Sequence, residues 1–88
     1  RILYPALGLA GEAGEVANKV KKLIRDGPDG RPDDWREQIA SEIGDVLWYC
    51  AALATDLNLT LGMIAAQNEK KLSDRHKAGT LGGSGDER

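Results

Sequence analysis

Two residue types that build most reactive or cross-linked sites are nearly missing from this chain, which has one cysteine and one histidine among its 88 residues. A lone Cys50 excludes an internal disulfide, and its place in an apolar helical run marks it as a small buried hydrophobe in a reducing compartment. With His76 alone near the end of the chain, the His/Cys ligand sets of zinc are excluded, as are the Glu-x-x-His pairs of di-iron bundles. No apolar run approaches the ~20 residues that span a bilayer, and no secretory signal is visible. A cytoplasmic protein without a membrane partner is therefore expected. The net charge of −2 gives no basic footprint for DNA or RNA. Alternating Val/Ile/Thr runs are lacking as well, which leaves helices as the building material.

What is present is ordinary in composition: 41% apolar and 30% charged residues describe a globular chain of one domain. The segment from Ala78, AGTLGGSGDER, is rich in Gly and Ser and poor in core residues, so the chain divides into a helical domain, 1–77, and a flexible tail, 78–88. A domain this short buries only about 60% of its unfolded surface and is marginal by itself. Without disulfides, self-association is the natural source of further core, and a homodimer or homotetramer is expected. The chain starts at Arg1, close to its first motif, as though a preceding segment had been removed.

Three helices are legible. The first runs from a helix-opening Pro5 to about Arg25, with Leu9, Ala13, Val16, Ala17, Val20, Leu23 and Ile24 on one broad apolar face. The stretch Asp26 to Asp33, DGPDGRPD, is a loop by its turn chemistry. A capping box of Asp34 and Glu37, or Asp33 as the cap instead, is expected to open the second helix, which ends near Asp56. Its apolar face is Ile39, Ile43, Val46, Leu47, Cys50, Leu53 and Ala54, with Trp48 assigned to core or subunit interface. Thr60 caps a third helix carrying Leu61, Ile64, Ala65 and Leu72 on one side, with Asn68, Lys71 and Arg75 sharing that stripe. The expected fold is all-α: an antiparallel helical bundle of three main helices, completed by oligomerisation.

The chemistry lies in a repeat. Leu9 to Val16, LAGEAGEV, returns thirty residues later as IASEIGDV, Ile39 to Val46. Each copy carries two carboxylates three residues apart, Glu12 and Glu15 in the first and Glu42 and Asp45 in the second, which share one side of a helix. Both pairs border the apolar face in the same way, so two packed helices would pool four carboxylates. Close pairs repel by roughly 3–4 kcal/mol at an effective dielectric of ~20, unless protons or cations intervene. Oxygen-only ligands suit hard ions, above all Mg²⁺, with Mn²⁺ as substitute, and magnesium held this way commonly serves phosphates. Lys19 and Lys22 lie on the same stripe, where they could pair with Glu15 or a phosphate, and Trp35, also on it, offers a stacking surface to a base. On residues alone, Asn68, Lys71 and Arg75 divide evenly between exterior salt bridging and ligand contact.

Taken together, GLAGEAGEV, EIGDVLWY and the downstream NEKKLSDR resemble the MazG-like all-α NTP pyrophosphohydrolase superfamily, with its Glu-x-x-Glu and Glu-x-x-Asp motifs at Glu12, Glu15, Glu42 and Asp45. The resemblance covers about Leu3 to His76. It implies Mg²⁺-dependent cleavage of a (d)NTP to (d)NMP and pyrophosphate, in a dimer or dimer of dimers with sites near subunit interfaces. It also implies nucleotide or phosphate contacts from Asn68, Lys71 and Arg75, beside Lys19. Many members carry a Glu-Glu doublet where this chain has Gly11, so the general base falls to Glu12, Glu15 or a metal-bound hydroxide. Two other readings stay open on the residues: a metal-binding module without catalysis, and a helical interaction protein with solvated acidic stripes.

Overall fold

The structure, a computed structural model, describes residues 2–79. The tail expected to be flexible lies, from residue 80 onward, outside the described residues. Three helices follow in order, α1 (Leu3–Gly30), α2 (Trp35–Asp56) and α3 (Leu61–Lys77), and the protein is all-α.

Helix α1 begins two residues before Pro5. Pro5 still falls among the first N–H groups, which have no partner inside a helix, so its ring is tolerated there. The helix breaks at Gly27, whose φ of 69° only glycine adopts without strain, and Pro28 starts one further turn. The turn-rich loop thus condenses into a kink, a helical turn and the short link 31–34. The capping box is not formed: Asp34 caps α2 with its backbone alone, and its Oδ1 accepts from Gln38 Nε2 at 2.9 Å instead. Thr60 caps α3 as its sequence indicates, its Oγ1 accepting from Met63 N at 3.1 Å.

Helices α1 and α2 pack as an antiparallel hairpin. The ring of Tyr49 lies against Gly8, Glu12 is paired with Asp45, and Lys19 Nζ reaches Gln38 and Glu42. The α1 side of the seam is Leu9, Glu12, Val16, Lys19 and Leu23, spaced by three and four; α2 contributes Gln38, Ile39, Glu42, Val46 and Tyr49. Of the four acidic positions expected at the edge of the apolar faces, Glu12 and Glu42 are therefore in the seam itself, while Glu15 and Asp45 stay exposed at its border. The outer part of those faces is uncovered, with Val20, Ile24, Ile43 and Leu47 all exposed. Only Pro5 and Ala54 are buried among the described residues. Because the helices run antiparallel, both uncovered arcs fall on one side of the hairpin and the carboxylates toward the other.

Helix α3 does not close a three-helix antiparallel bundle within the chain. It leaves α2 at 94° and packs on α2 alone. Asn58, at a left-handed φ of 62°, and the extended Thr60 turn the backbone at this elbow. Nothing apolar on α3 is buried, so no hydrophobic contact draws it back along the hairpin.

Candidate metal and phosphate site

Side-chain placement follows from the antiparallel register. Glu12 at the middle of α1 meets the α2 turn that carries Glu42 and Asp45, because the repeated motifs sit at matching distances from the connection. One carboxylate oxygen from each of Glu12, Glu42 and Asp45 can be chosen so that all lie within 4.8 Å of one another. The fourth motif acid, Glu15, lies outside that group and is exposed. It is near enough for its charge to act on Glu12.

The electrostatics follow from this crowding. Removal from water raises the Glu12 pKa above its ordinary value, and the negative charges of Asp45, Glu42 and Glu15 push it further, as does a hydrogen bond shared with Asp45. Lys19 is the cation in the seam, 4.0 Å from Glu42 Oε2 and 3.5 Å from Gln38 Oε1. One ammonium so placed leaves the trio with surplus negative charge. Three close oxygen donors without a thiolate or imidazole fit a hard divalent ion.

Two hollows flank the trio along the hairpin. Toward the connection, a cavity of about 140 Å³ is lined by Lys19, Lys22, Leu23, Asp26, Trp35 and Gln38, among others. Asp26 is held below the ordinary carboxylate range by its hydrogen bonds from Arg25, at 2.7 and 3.1 Å. The Trp35 ring has the Arg31 guanidinium 4.7 Å from its centroid and that of Arg36 at 5.6 Å. Toward the other end, a cavity of about 290 Å³ is lined by Glu12, Asp45, Trp48 and Tyr49. Trp48, assigned by sequence to core or interface, is 63% exposed here, with Tyr49 edge-on at 5.1 Å. A further ring, Tyr4, stands 6.5 Å from Tyr49 and raises the Tyr49 phenol pKa through its proximity and a hydrogen bond. Sequence reading missed Trp48 and Tyr4 as neighbours of the site. Its available signal was that Tyr49 follows Asp45 by one turn.

The α3 residues are elsewhere. Asn68 and Lys71 line a hollow of about 560 Å³ at the elbow with Leu47, Cys50, Leu61 and Ile64. Leu47 is about 140° around α2 from Glu42 at 3.6 residues per turn, so that hollow opens away from the carboxylates. Arg75, further along the same helix, is half-buried.

A model of the MazG nucleotide pyrophosphohydrolase domain matches residues 5–80. The chain belongs to the MazG family. It is also 45% identical over 85 residues to the Gene 37 protein of Mycobacterium phage L5, covering 97% of this chain and 75% of that protein. No solved structure matches it significantly. Membership in the MazG family establishes what the motif pair resembled, and at family level it makes this chain a nucleotide pyrophosphohydrolase type. No single helix among the described residues is long and apolar enough to cross a membrane.

Proposed function

We propose that this MazG domain is a Mg²⁺-dependent pyrophosphohydrolase that converts a (d)NTP to (d)NMP and pyrophosphate in house-cleaning or nucleotide-pool control. The observation that carries the reading is the group of Glu12, Glu42 and Asp45 oxygens within 4.8 Å across two antiparallel helices, in a chain of this family. These three would hold the ion, with Mn²⁺ as a substitute. A divalent ion bound there supplies charge neutralisation for the phosphates and polarises the phosphorus under attack. Glu15, exposed and outside the group, is the acid left to accept a proton from the attacking water, in the absence of a doublet acid at Gly11. Lys19 keeps Glu42 from turning away and offers its ammonium to a phosphate oxygen.

The same reading extends to assembly and location. Val20, Ile24, Ile43 and Leu47 present one uncovered apolar side, which a second copy in a homodimer or homotetramer would bury. Asn68, Lys71 and Arg75 project from a helix that does not reach its own chain's carboxylates. They serve a substrate only where a second chain presents them. Nucleotide pools place the protein in the cytoplasm.

The test is pyrophosphate release from each dNTP with Mg²⁺ and with EDTA. Release that needs the ion supports the enzyme. A metal-dependent rise in melting temperature without turnover supports a binding module, and absence of both leaves a helical interaction protein.

A further inference from the structure

The three-part layout of the hairpin surface has a direction. One end is cationic, the middle is anionic, and the other end is aromatic, with no basic group among the described residues that line its cavity. We infer that the substrate lies along it with its terminal phosphates toward Lys19 and Lys22 and its nucleobase on the exposed indole of Trp48, not on Trp35. This orientation rests on the nucleotide reading of the carboxylate site and goes beyond it by naming the residue that meets the base.

Three observations favour this direction. Trp48 shares one cavity with Glu12 and Asp45, so a base on its ring is next to a phosphate at the carboxylates. Its side chain is 63% exposed, and its wall on the far side borders another hollow with Tyr4, Pro5 and Ala52, so its ring surface is accessible. Trp35, by contrast, is half-buried, and Arg31 and Arg36 already stand over its ring. Its cavity is half the size of the Trp48 cavity and holds two lysines, Lys19 and Lys22. The single acid in that cavity, Asp26, is already engaged by Arg25. A polyanion is drawn to such a place, whereas a neutral base gains more from the exposed part of the Trp48 indole.

Inorganic tripolyphosphate has the phosphates and lacks the base, so it separates the two ends. Hydrolysis of the four dNTPs with Mg²⁺ is measured, with tripolyphosphate as competitive inhibitor, for the native chain and for Trp48→Ala, Trp48→Phe, Trp35→Ala and Lys22→Ala. Trp48→Ala is expected to raise dNTP KM about fivefold or more, at the low end of what base stacking contributes, and to leave the tripolyphosphate Ki unchanged. Trp48→Phe should restore most of the KM. Lys22→Ala should raise both constants together. A KM unchanged by Trp48→Ala overturns the inference, as does a base-selective loss in Trp35→Ala instead. A parallel rise of KM and Ki in Trp48→Ala also overturns it, because that marks a structural defect. If the native chain cleaves no dNTP, the activity reading fails, but the orientation is still tested by Trp48 fluorescence in a Trp35→Phe background. Quenching by dNTP and not by tripolyphosphate upholds the base contact, and no quenching refutes it.

Discussion

The three glycines of the first motif make a calibrated set. An ideal Cβ placed on Gly8 falls 2.5 Å from Tyr49 Cζ and 2.6 Å from Cδ1, whereas at Gly11 and Gly14 nothing lies within 4 Å. All three are within α1, so each replacement by alanine gains up to about 1 kcal/mol of helix propensity. At Gly8 that gain is opposed by overpacking of roughly 1–3 kcal/mol, because the Tyr49 ring must move. The ring is not free to move without consequence, since it touches Trp48 and Tyr4 and lines the cavity of Glu12 and Asp45. The net for Gly8→Ala is a loss of about 0–3 kcal/mol, against a gain of up to about 1 for Gly11→Ala and Gly14→Ala. At about 4–8 °C per kcal/mol for a domain of this size, thermal melting monitored by circular dichroism separates the groups. Gly8→Ala should also raise KM through the displaced ring. If Gly8→Ala gains as much melting temperature as Gly11→Ala, the α1–α2 register described here is wrong.

Three further outcomes test the carboxylates. Glu42→Gln should abolish turnover, raise the melting temperature of the metal-free protein by relieving repulsion, and remove any Mg²⁺-induced stabilisation; unchanged turnover contradicts the site. Glu15→Gln should lose turnover yet keep the Mg²⁺-induced rise in melting temperature, and loss of both would make Glu15 a ligand instead of the base. The raised Glu12 pKa sets a sign for pH: the folded state holds the proton more tightly than the unfolded one, so this group's contribution favours folding at low pH. It is lost as pH climbs from the ordinary value of 4.5 through the raised one. Metal-free melting curves across that window should therefore show a decline that Glu12→Gln flattens, while Mg²⁺ affinity weakens on acidification in the native chain.

Helix existence was legible because period, turn residues and the Thr60 cap agree. What the period could not supply was the rotation of each helix about its axis. Both apolar faces are broad arcs, and a broad arc can be buried at its centre or at its margin. The structure packs the margin into the half-buried seam, where Leu9, Val16 and Val46 alternate with Glu12, Glu42 and Lys19, and leaves Ile24 and Leu47 outside. The glycine at Gly8 explains part of that choice, since it admits the Tyr49 ring on the carboxylate side. The elbow was not legible either, because Asn58 gives no periodic signal and its left-handed backbone sets the direction of α3.

That rotation links stability to chemistry. A seam with its apolar centre buried would leave the acids at a solvated edge, weakly coupled and of little use to an ion. Turning both helices toward their acidic margin brings Glu12 against Glu42 and Asp45, at the expense of apolar contact that the hairpin then lacks. A chain so arranged is under strain from both sides, with like charges pressed together in the seam and hydrophobes facing water behind it. A divalent ion would relieve the first and a second copy would relieve the second. Each should therefore raise the melting temperature by itself, and the two should reinforce one another, because the same rotation of α1 against α2 satisfies both.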